Sequence, residues 1–446
     1  MLIQFLVENF LSFKDETVFS LLAPPEETRG VIEVPTHGLR LMRIAAFYGA
    51  NASGKSNFTK ALEAARELIV HEQLPHAELP ARSFRLDQTA STKPTRFQFD
   101  ILIQDICYTY VLVFTRSMIV AEALYRKLPN TANDEIVYER EAPADKGEHL
   151  VKFGPMIDAR SDKDRLFAEF TARGAHFRQP LLTKFAIGNV SGFDAVYSWF
   201  LDGVTIIGAS ARYANLIQEL NDNPSLRTFF SEKLTNVGTG IRDVQIEERP
   251  YELASLGHDN ELLESFIRDA VRQLEKSRNE KFITRSEESG GTVIDAERKL
   301  YFKLKLIHRS GTGFEASFDL EDESDGTQRL LHLLPVLFHR TQESGLCTVI
   351  DELDRSLHTM LTRYFVEEFL SVGSDTQTQL IFTTHDTNLL NGRLLPARAV
   401  WFVEKDDNGA SRIHSLSEYK PEQLEYLLEH LEEGYLQGRF GAIPFI

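Results

Sequence analysis

The sequence predicts an α/β protein in which mixed antiparallel and parallel sheets carry flanking helices and a mainly helical insertion divides the chain. Three observations carry that prediction. First, a short apolar strand, Ile44-Ala45-Ala46-Phe47, runs into a glycine-containing loop. A helix follows it, with Phe58, Ala61, Leu62, Ala65, Leu68 and Ile69 at spacings of three and four. Second, period-two patterning puts Phe97, Phe99, Ile101 and Ile103 on one face and Tyr108, Tyr110, Leu112 and Phe114 on another, as in antiparallel strands. Third, strand and helix segments alternate through the last third of the chain, the pattern of a parallel sheet covered by helices.

Taken in order, Leu2 to Leu22 alternates as one or two strands, with Ile3, Phe5 and Val7 on one face and Asn9 near a turn. The meander after Phe97 continues through Val120 to Leu124. Residues 155–280 read as mainly helical, with helices at 162–180, 193–201, 212–235 and 258–276, the last carrying Leu263, Phe266, Ile267 and Leu274 as its buried stripe. A hairpin turns at Ser310-Gly311-Thr312-Gly313, joining Phe302, Leu304 and Leu306 to Phe314, Ala316 and Phe318. There follow a helix over 326–343, a strand over 346–350, a helix over 357–371, a strand over 379–383, a helix over 386–391 and a strand over 399–403. The implied domains are an N-terminal lobe (1–125), the insertion (126–285) and a C-terminal lobe (286–446).

Composition narrows the classes. With 446 residues, 42% hydrophobic and 26% charged, the chain suits two or three packed units and excludes a disordered, collagen-like or disulfide-framework protein. Sixty-six acidic against 49 basic residues give a net charge of −17, so non-specific nucleic-acid binding is disfavoured. Two cysteines, Cys107 and Cys347, fit a reducing compartment. No apolar run approaches the roughly 18–20 residues of a membrane span, and the start lacks a basic region and a cleavage site. A soluble, cytoplasmic protein is the expectation.

The strongest motif is Gly49-Ala50-Asn51-Ala52-Ser53-Gly54-Lys55-Ser56, a full match to GxxxxGK[ST], followed by Asn57. Such a loop turns backbone N–H groups around a β-phosphate, its lysine reaches β- and γ-oxygens, and its serine hydroxyl binds Mg²⁺. The helix that follows directs its positive end at the phosphates. Cys347-Thr348-Val349-Ile350-Asp351-Glu352 is a mostly apolar strand ending in two carboxylates, at the edge of a parallel sheet where ligands bind. Asp351 suits Mg²⁺ coordination and Glu352 suits orientation of an attacking water. Leu380 to Asp386 is a further strand, ending in His385, 34 residues after Asp351. Ser324-Asp325-Gly326-Thr327-Gln328 opens a helix 27 residues before Asp351, preceded by Glu321, Asp322 and Glu323, which would oppose phosphate unless they face solvent or a basic partner.

In that order, phosphate loop, helix-opening serine, acidic strand end, Leu353-Asp354-Arg355-Ser356-Leu357 and strand-end histidine, the chain resembles ABC-class ATPases related to SMC, RecF and OLD proteins. Within these it resembles the compact ATPases of bacterial phage-defence modules such as PARIS and Septu. Asn9 to Glu16, Ser356-Leu357-His358, Thr384-His385-Asp386 and the tail Gly434 to Pro444 add to the likeness, which is weak over 125–280. The resemblance implies an ABC-type P-loop ATPase head with ATP and Mg²⁺ as cofactors. It assigns nucleotide contacts to Gly49, Ala50, Asn51, Ala52, Ser53, Gly54, Lys55, Ser56 and Asn57, metal contacts to Ser56 and Asp351, and catalysis to Lys55, Glu352 and His385. It further implies a homo-oligomer in which Ser324, Gly326, Thr327 and Asp354 of one head meet ATP on the other. A separate effector, nuclease or toxin, would be controlled in response to a phage protein or nucleic acid. The class's Q-loop glutamine is not placed; Gln88 is one candidate. A DNA-maintenance ATPase of RecF or SMC type is the alternative reading.

Within the insertion, Arg165, Arg173, Arg178 and Lys184 interleave with Phe167, Phe170, Phe177 and Phe185. This reads either as a stacking surface for nucleic acid or a partner, or as an amphipathic helix with Phe in the core and Arg in solvent; the second is preferred.

Overall fold

The computed structural model describes residues 1–446 apart from 132, 143–149, 159, 214, 251–281, 286–291, 296–299, 342–344, 372–375, 420–426 and 444–446. The helix expected over 258–276, the first residues of an acidic segment at 421–433 and Pro444 of the tail lie outside the described residues. The chain forms two compact units. The first comprises Met1–Ala209, Glu343–Leu353 and Val366–Ile446; the second comprises Ser210–Gln342 and Asp354–Phe365.

In chain order the elements begin β1 (Leu2–Glu8), β2 (Thr17–Ser20), β3 (Val31–Val34), β4 (Leu39–Met42), β5 (Ile44–Tyr48), α1 (Lys55–Val70), β6 (Thr95–Ile103), β7 (Ile106–Phe114), β8 (Ile119–Lys127), β9 (Glu135–Glu141) and β10 (Leu150–Phe153). Next come α2 (Pro155–Asp158), α3 (Asp162–Arg173), α4 (Leu181–Ile187), α5 (Asp194–Leu201), β11 (Val204–Ile207), α6 (Leu216–Asp222), α7 (Pro224–Asn236), β12 (Ile241–Pro250), β13 (Phe282–Arg285), β14 (Thr292–Asp295), β15 (Leu300–Arg309) and β16 (Glu315–Asp319). The chain closes with α8 (Asp325–His339), β17 (Cys347–Ile350), α9 (Thr359–Ser371), β18 (Gln379–Thr383), β19 (Val400–Lys405), β20 (Ser411–Ser415) and α10 (Leu431–Leu436).

The first unit holds two large sheets. Seven antiparallel strands run in the order β10-β9-β8-β7-β6-β1-β2, and six run β11-β17-β18-β5-β19-β20, parallel except for β19 with β20. All five residues of β5 are buried, as a central parallel strand covered on both faces requires. Helix α1 joins the two sheets through its apolar stripe. Phe58 packs on Phe5 and Phe19 of the antiparallel sheet at 5.7 and 5.2 Å and on Phe47 of the parallel sheet at 4.6 Å, centroid to centroid. The six residues expected on that stripe are all buried. The meander register sets Phe97 against Leu112, Phe99 against Tyr110 and Ile101 against Tyr108, which is how the two period-two runs come to share one buried face. The second unit is an antiparallel sheet, β12-β15-β14-β13 with β16 on β15, together with α6, α7 and α8. This is the α/β architecture of mixed antiparallel and parallel sheets with flanking helices anticipated from the sequence.

Several element expectations need correction. The stretch read as mainly helical also holds β11 and β12, and the meander runs on to β10. The helix expected over 162–180 stops at Arg173, where Gly174 caps it, and Pro180 starts the separate α4. The helix over 212–235 is two, because Asn223 caps a new start at Pro224 by accepting from the Ser225 and Leu226 amides. The segment 386–391 makes only a 3₁₀ turn, Thr387–Leu389. Most tellingly, α3 turns Ala168 and Ala172 inward and leaves Phe167 and Phe170 47% and 78% exposed, so its phenylalanines are not core. Arg165 is held between Asp162 and Glu169, each at 3.9 Å. Phe185, on α4, is buried and stacks on Phe193.

Candidate nucleotide site

The first unit brings three strand ends to one edge. β5 delivers Gly49–Gly54, β17 delivers Asp351 and Glu352, and β18, between them, delivers Thr383, Thr384 and His385. The loop bends at Ala52, φ 63°, and Gly54, φ 123°, both left-handed, and exposes its tip at Asn51 and Ala52. Side chains have no room at its glycines. A Cβ on Gly49 would lie 2.4 Å from the Val403 carbonyl, and one on Gly54 would lie 2.2 Å from Ser411 Oγ. Lys55 is buried and folds back over the loop, donating to the Gly49 and Ala50 carbonyls at 2.7 and 3.0 Å.

The carboxylate end is equally connected. Asp351 Oδ1 accepts from Ser56 Oγ at 3.2 Å and from Thr383 Oγ1 at 2.7 Å. Thr383 Oγ1 also accepts from the Glu352 amide at 2.8 Å, and that bond fixes Glu352 at a left-handed φ of 50°. Ser56 and Asp351 therefore meet, as a shared metal requires, and they present the hard oxygen donors that Mg²⁺ prefers. Glu352 is half-buried and His385 exposed on the same edge. Ser53 Oγ is buried inside the loop and makes no hydrogen bond among the described residues, an open polar position of the kind a phosphate oxygen satisfies.

Sequence reasoning missed the support behind this edge. Asn57 Nδ2 donates to Ser12 Oγ at 2.7 Å, the Ser12 and Ser411 hydroxyls are 2.7 Å apart, and Ser411 donates to the Ser53 carbonyl at 2.5 Å. Asn9, buried and left-handed at φ 49°, donates to the Ala90 and Lys93 carbonyls at 2.8 and 2.9 Å and accepts from the Phe84 amide at 3.1 Å. That clamp shapes a cavity of about 690 Å³ beside Asn57, with Arg82, Arg85, Arg116 and Lys405 in its lining and no carboxylate. The Asn-Phe-Leu-Ser run was the available signal. Gln88 is exposed on the 3₁₀ turn Gln88–Thr92. The strand edge next to Asp351 ends instead at Ile207, whose carbonyl accepts from the Asp351 amide at 2.8 Å.

Ser324, Gly326, Thr327 and Asp354 belong to the second unit. Ser324 is exposed and caps α8, its Oγ accepting from the Thr327 amide at 3.2 Å. A Cβ on Gly326 would meet the Ser356 carbonyl at 2.7 Å, so glycine allows this turn to pack on the Asp354–Leu357 loop. Glu321 and Asp322 are exposed, and Glu323 pairs with His308 at 2.6 Å.

Among the described residues no helix is long and apolar enough to cross a membrane. No curated protein matches the chain. Among solved structures the chain is similar to the SMC head domain from Thermotoga maritima, at 13% identity and a TM-score of 0.37 over 93% of this chain and 98% of that one. It is also similar to the SmcHead bound to the C-winged helix domain of ScpA, at 12% and 0.38 over 95% and 99%. The family model described as "AAA domain, putative AbiEii toxin, Type IV TA system" matches residues 44–391, which span the glycine loop, Asp351, Glu352 and His385. The chain belongs to this AAA-domain family.

Proposed function

We propose that the protein binds and hydrolyses ATP with Mg²⁺ at this edge, and that two copies pair around the nucleotide. The carrying observation is the single hydrogen-bonded run Ser56–Asp351–Thr383–Glu352, which links the phosphate-loop serine to the acidic strand end. Lys55 exchanges the two loop carbonyls for phosphate oxygens, Ser56 and Asp351 hold the metal, and Ser53 Oγ gains a partner. Mg²⁺, when bound, neutralises charge on the phosphate oxygens. Glu352 orients water, His385 faces the terminal phosphate, and the nucleoside end enters the cationic cavity beside Asn57. Ser324, exposed at the start of a 15-residue helix, and Gly326, Thr327 and Asp354 serve the nucleotide of a second copy.

In the cell we place this ATPase in anti-phage defence, as a sensor that controls a separate effector polypeptide. The matching family is described as "putative AbiEii toxin, Type IV TA system", and a protein that works within such a system, rather than alone, fits this reading. The test is light scattering of Glu352→Gln with and without Mg-ATP, followed by pull-down from the native operon. The expected result is an ATP-driven gain in mass and retention of a neighbouring gene product; Lys55→Ala loses ATP binding while staying folded. A monomer under both conditions sinks head pairing. ATP-dependent retention of DNA at moderate salt, with no effector retained, replaces the defence role with DNA maintenance.

A further inference from the structure

The cavity beside Asn57 carries more charge than a nucleoside can use. Arg82, Arg85, Arg116 and Lys405 line it without a carboxylate, and all four are exposed. The acids next to them in sequence are matched elsewhere: Asp87 pairs with Lys14 at 3.0 Å and Asp406 with Arg412 at 3.2 Å. Arg116 donates to the Ala81 carbonyl at 3.3 Å and Lys405 to the Gly409 carbonyl at 2.8 Å, so both meet neutral groups. Glu63 of α1 attracts Arg82 without pairing with it. Among the described residues none of the four cations forms an ion pair. A base and its ribose are neutral, so a bound nucleoside leaves this surplus in place.

The opposite surplus sits just before α8. Glu321 and Asp322 are exposed on the 3₁₀ turn Leu320–Asp322, which leads into the capping Ser324. Their acidic neighbours are occupied: Asp319 pairs with Lys303 at 2.6 Å and also with Lys305, and Glu323 is held by His308 at 2.6 Å. Glu321 and Asp322 form no ion pair among the described residues. Asp322 serves the turn itself, accepting from the Asp319 amide at 2.9 Å.

We infer that the cationic groove is a docking surface for a second copy of this chain, and that its occupant is the Glu321-Asp322 turn of that copy. The inference rests on the head-pairing reading above. In such a pair Ser324 of one copy meets nucleotide on the phosphate loop of the other, and Asn57 borders both that loop and the groove. Glu321 is three residues before Ser324, at most about 11 Å along the chain, so the turn arrives within reach of the groove. Two bodies of net charge −17 repel on approach, and pairing needs complementary patches at the contact. These two patches are exposed, opposite in sign and unmatched within their own chain. A twofold pair makes the contact twice, the groove of each copy taking the turn of the other. Glu321 and Asp322 then face cations rather than phosphate, which removes the conflict posed by an acidic run before Ser324.

The test uses the full chain in the Glu352→Gln background, with pairing read by light scattering in Mg-ATP. The acid variant carries Glu321→Arg and Asp322→Asn, the asparagine still able to accept from the Asp319 amide. The groove variant carries Arg82→Glu and Arg85→Glu. A fluorescent ATP analogue gives the nucleotide affinity of each, so that pairing is compared at matched occupancy. The acid variant is expected to keep the parental affinity. Each variant alone should pair at least about tenfold more weakly than the parent, because like charges then meet twice, and an equimolar mixture should recover to within about threefold. In the mixture the reversed turn meets the reversed groove and the native turn meets the native groove. Rising salt should weaken parental pairing. Unchanged pairing of the acid variant overturns the inference; a DNA oligonucleotide that it retains and the groove variant loses would then assign the groove to nucleic acid. Weaker pairing of both variants with no recovery in the mixture also overturns it, since that is damage to the fold or the nucleotide site rather than a lost charge match. Failure of the parent to pair in Mg-ATP removes the pairing reading itself.

Discussion

Thr383 shows how one hydroxyl organises a strand edge. It donates to Asp351 and accepts from the Glu352 amide, so the direction of one carboxylate and the left-handed backbone of the other depend on the same oxygen. Thr383→Val keeps the shape and deletes both bonds. The loss expected is about 1–3 kcal/mol in stability, for one buried group left unpaired. The accompanying tenfold or larger fall in kcat would be read by steady-state ATP turnover beside a urea titration; full turnover would show that Glu352 needs no such restraint. The acidic strand end itself was legible from Ile350-Asp351-Glu352, because an apolar strand ending in carboxylates is a local pattern. The threonine was not, since its role comes from lying between β5 and β17, an adjacency set by the sheet order.

Among the elements, the join between β8 and the start of α4 carries a buried polar network. Glu122 and Arg140, each about 1% exposed, lie 3.3 Å apart. Glu122 accepts from the Tyr110 and Tyr138 hydroxyls at 3.0 and 2.7 Å and from the Leu181 and Leu182 amides at 2.7 and 3.0 Å. Arg140 donates to the Gln179 carbonyl at 2.7 Å. One carboxylate thus satisfies the open amides of a helix start while pinning three strands. Glu122→Ala leaves a buried guanidinium without its counter-charge, and the expected cost is about 3–5 kcal/mol, checked by urea unfolding. Combining it with Arg140→Leu should cost less than the sum of the two single changes. Nothing in the sequence marks Glu122, because its partners come from β7, β9 and the first residues of α4. The α3 phenylalanines were misread for a related reason: helical spacing permits two faces, and the inward one here is the narrow alanine face, Ala168 and Ala172.

For the molecule as a whole, acid is the informative perturbation. Lowering the pH toward the isoelectric point near 5.3 relieves the −17 net charge, which by itself favours the compact state. His332 opposes this. It is buried, its Nδ1 accepts from the Tyr213 amide at 3.2 Å, and burial, with Arg212 and Arg329 nearby, lowers its pKa to about 4. The unfolded imidazole takes up its proton near pH 6.5 and the folded one only near 4. Its contribution is therefore intact above about 6.5 and is lost as pH falls through that window, at up to about 1.4 kcal/mol per pH unit. His332→Gln, which can still accept from Tyr213, should flatten the fall of the urea midpoint over that window; an unchanged slope would assign the acid response to other groups. The sheet order has one more consequence, and it concerns time. The strand feeding the phosphate loop ends at Tyr48, while its two neighbours are Gln379–Thr383 and Val400–Lys405. At ribosomal rates of about 5–20 residues per second, tens of seconds separate synthesis of that strand from arrival of the segments that cover it. The nucleotide site is among the last parts of the first unit to assemble, and a mostly apolar strand waits without its two hydrogen-bonding neighbours until it does.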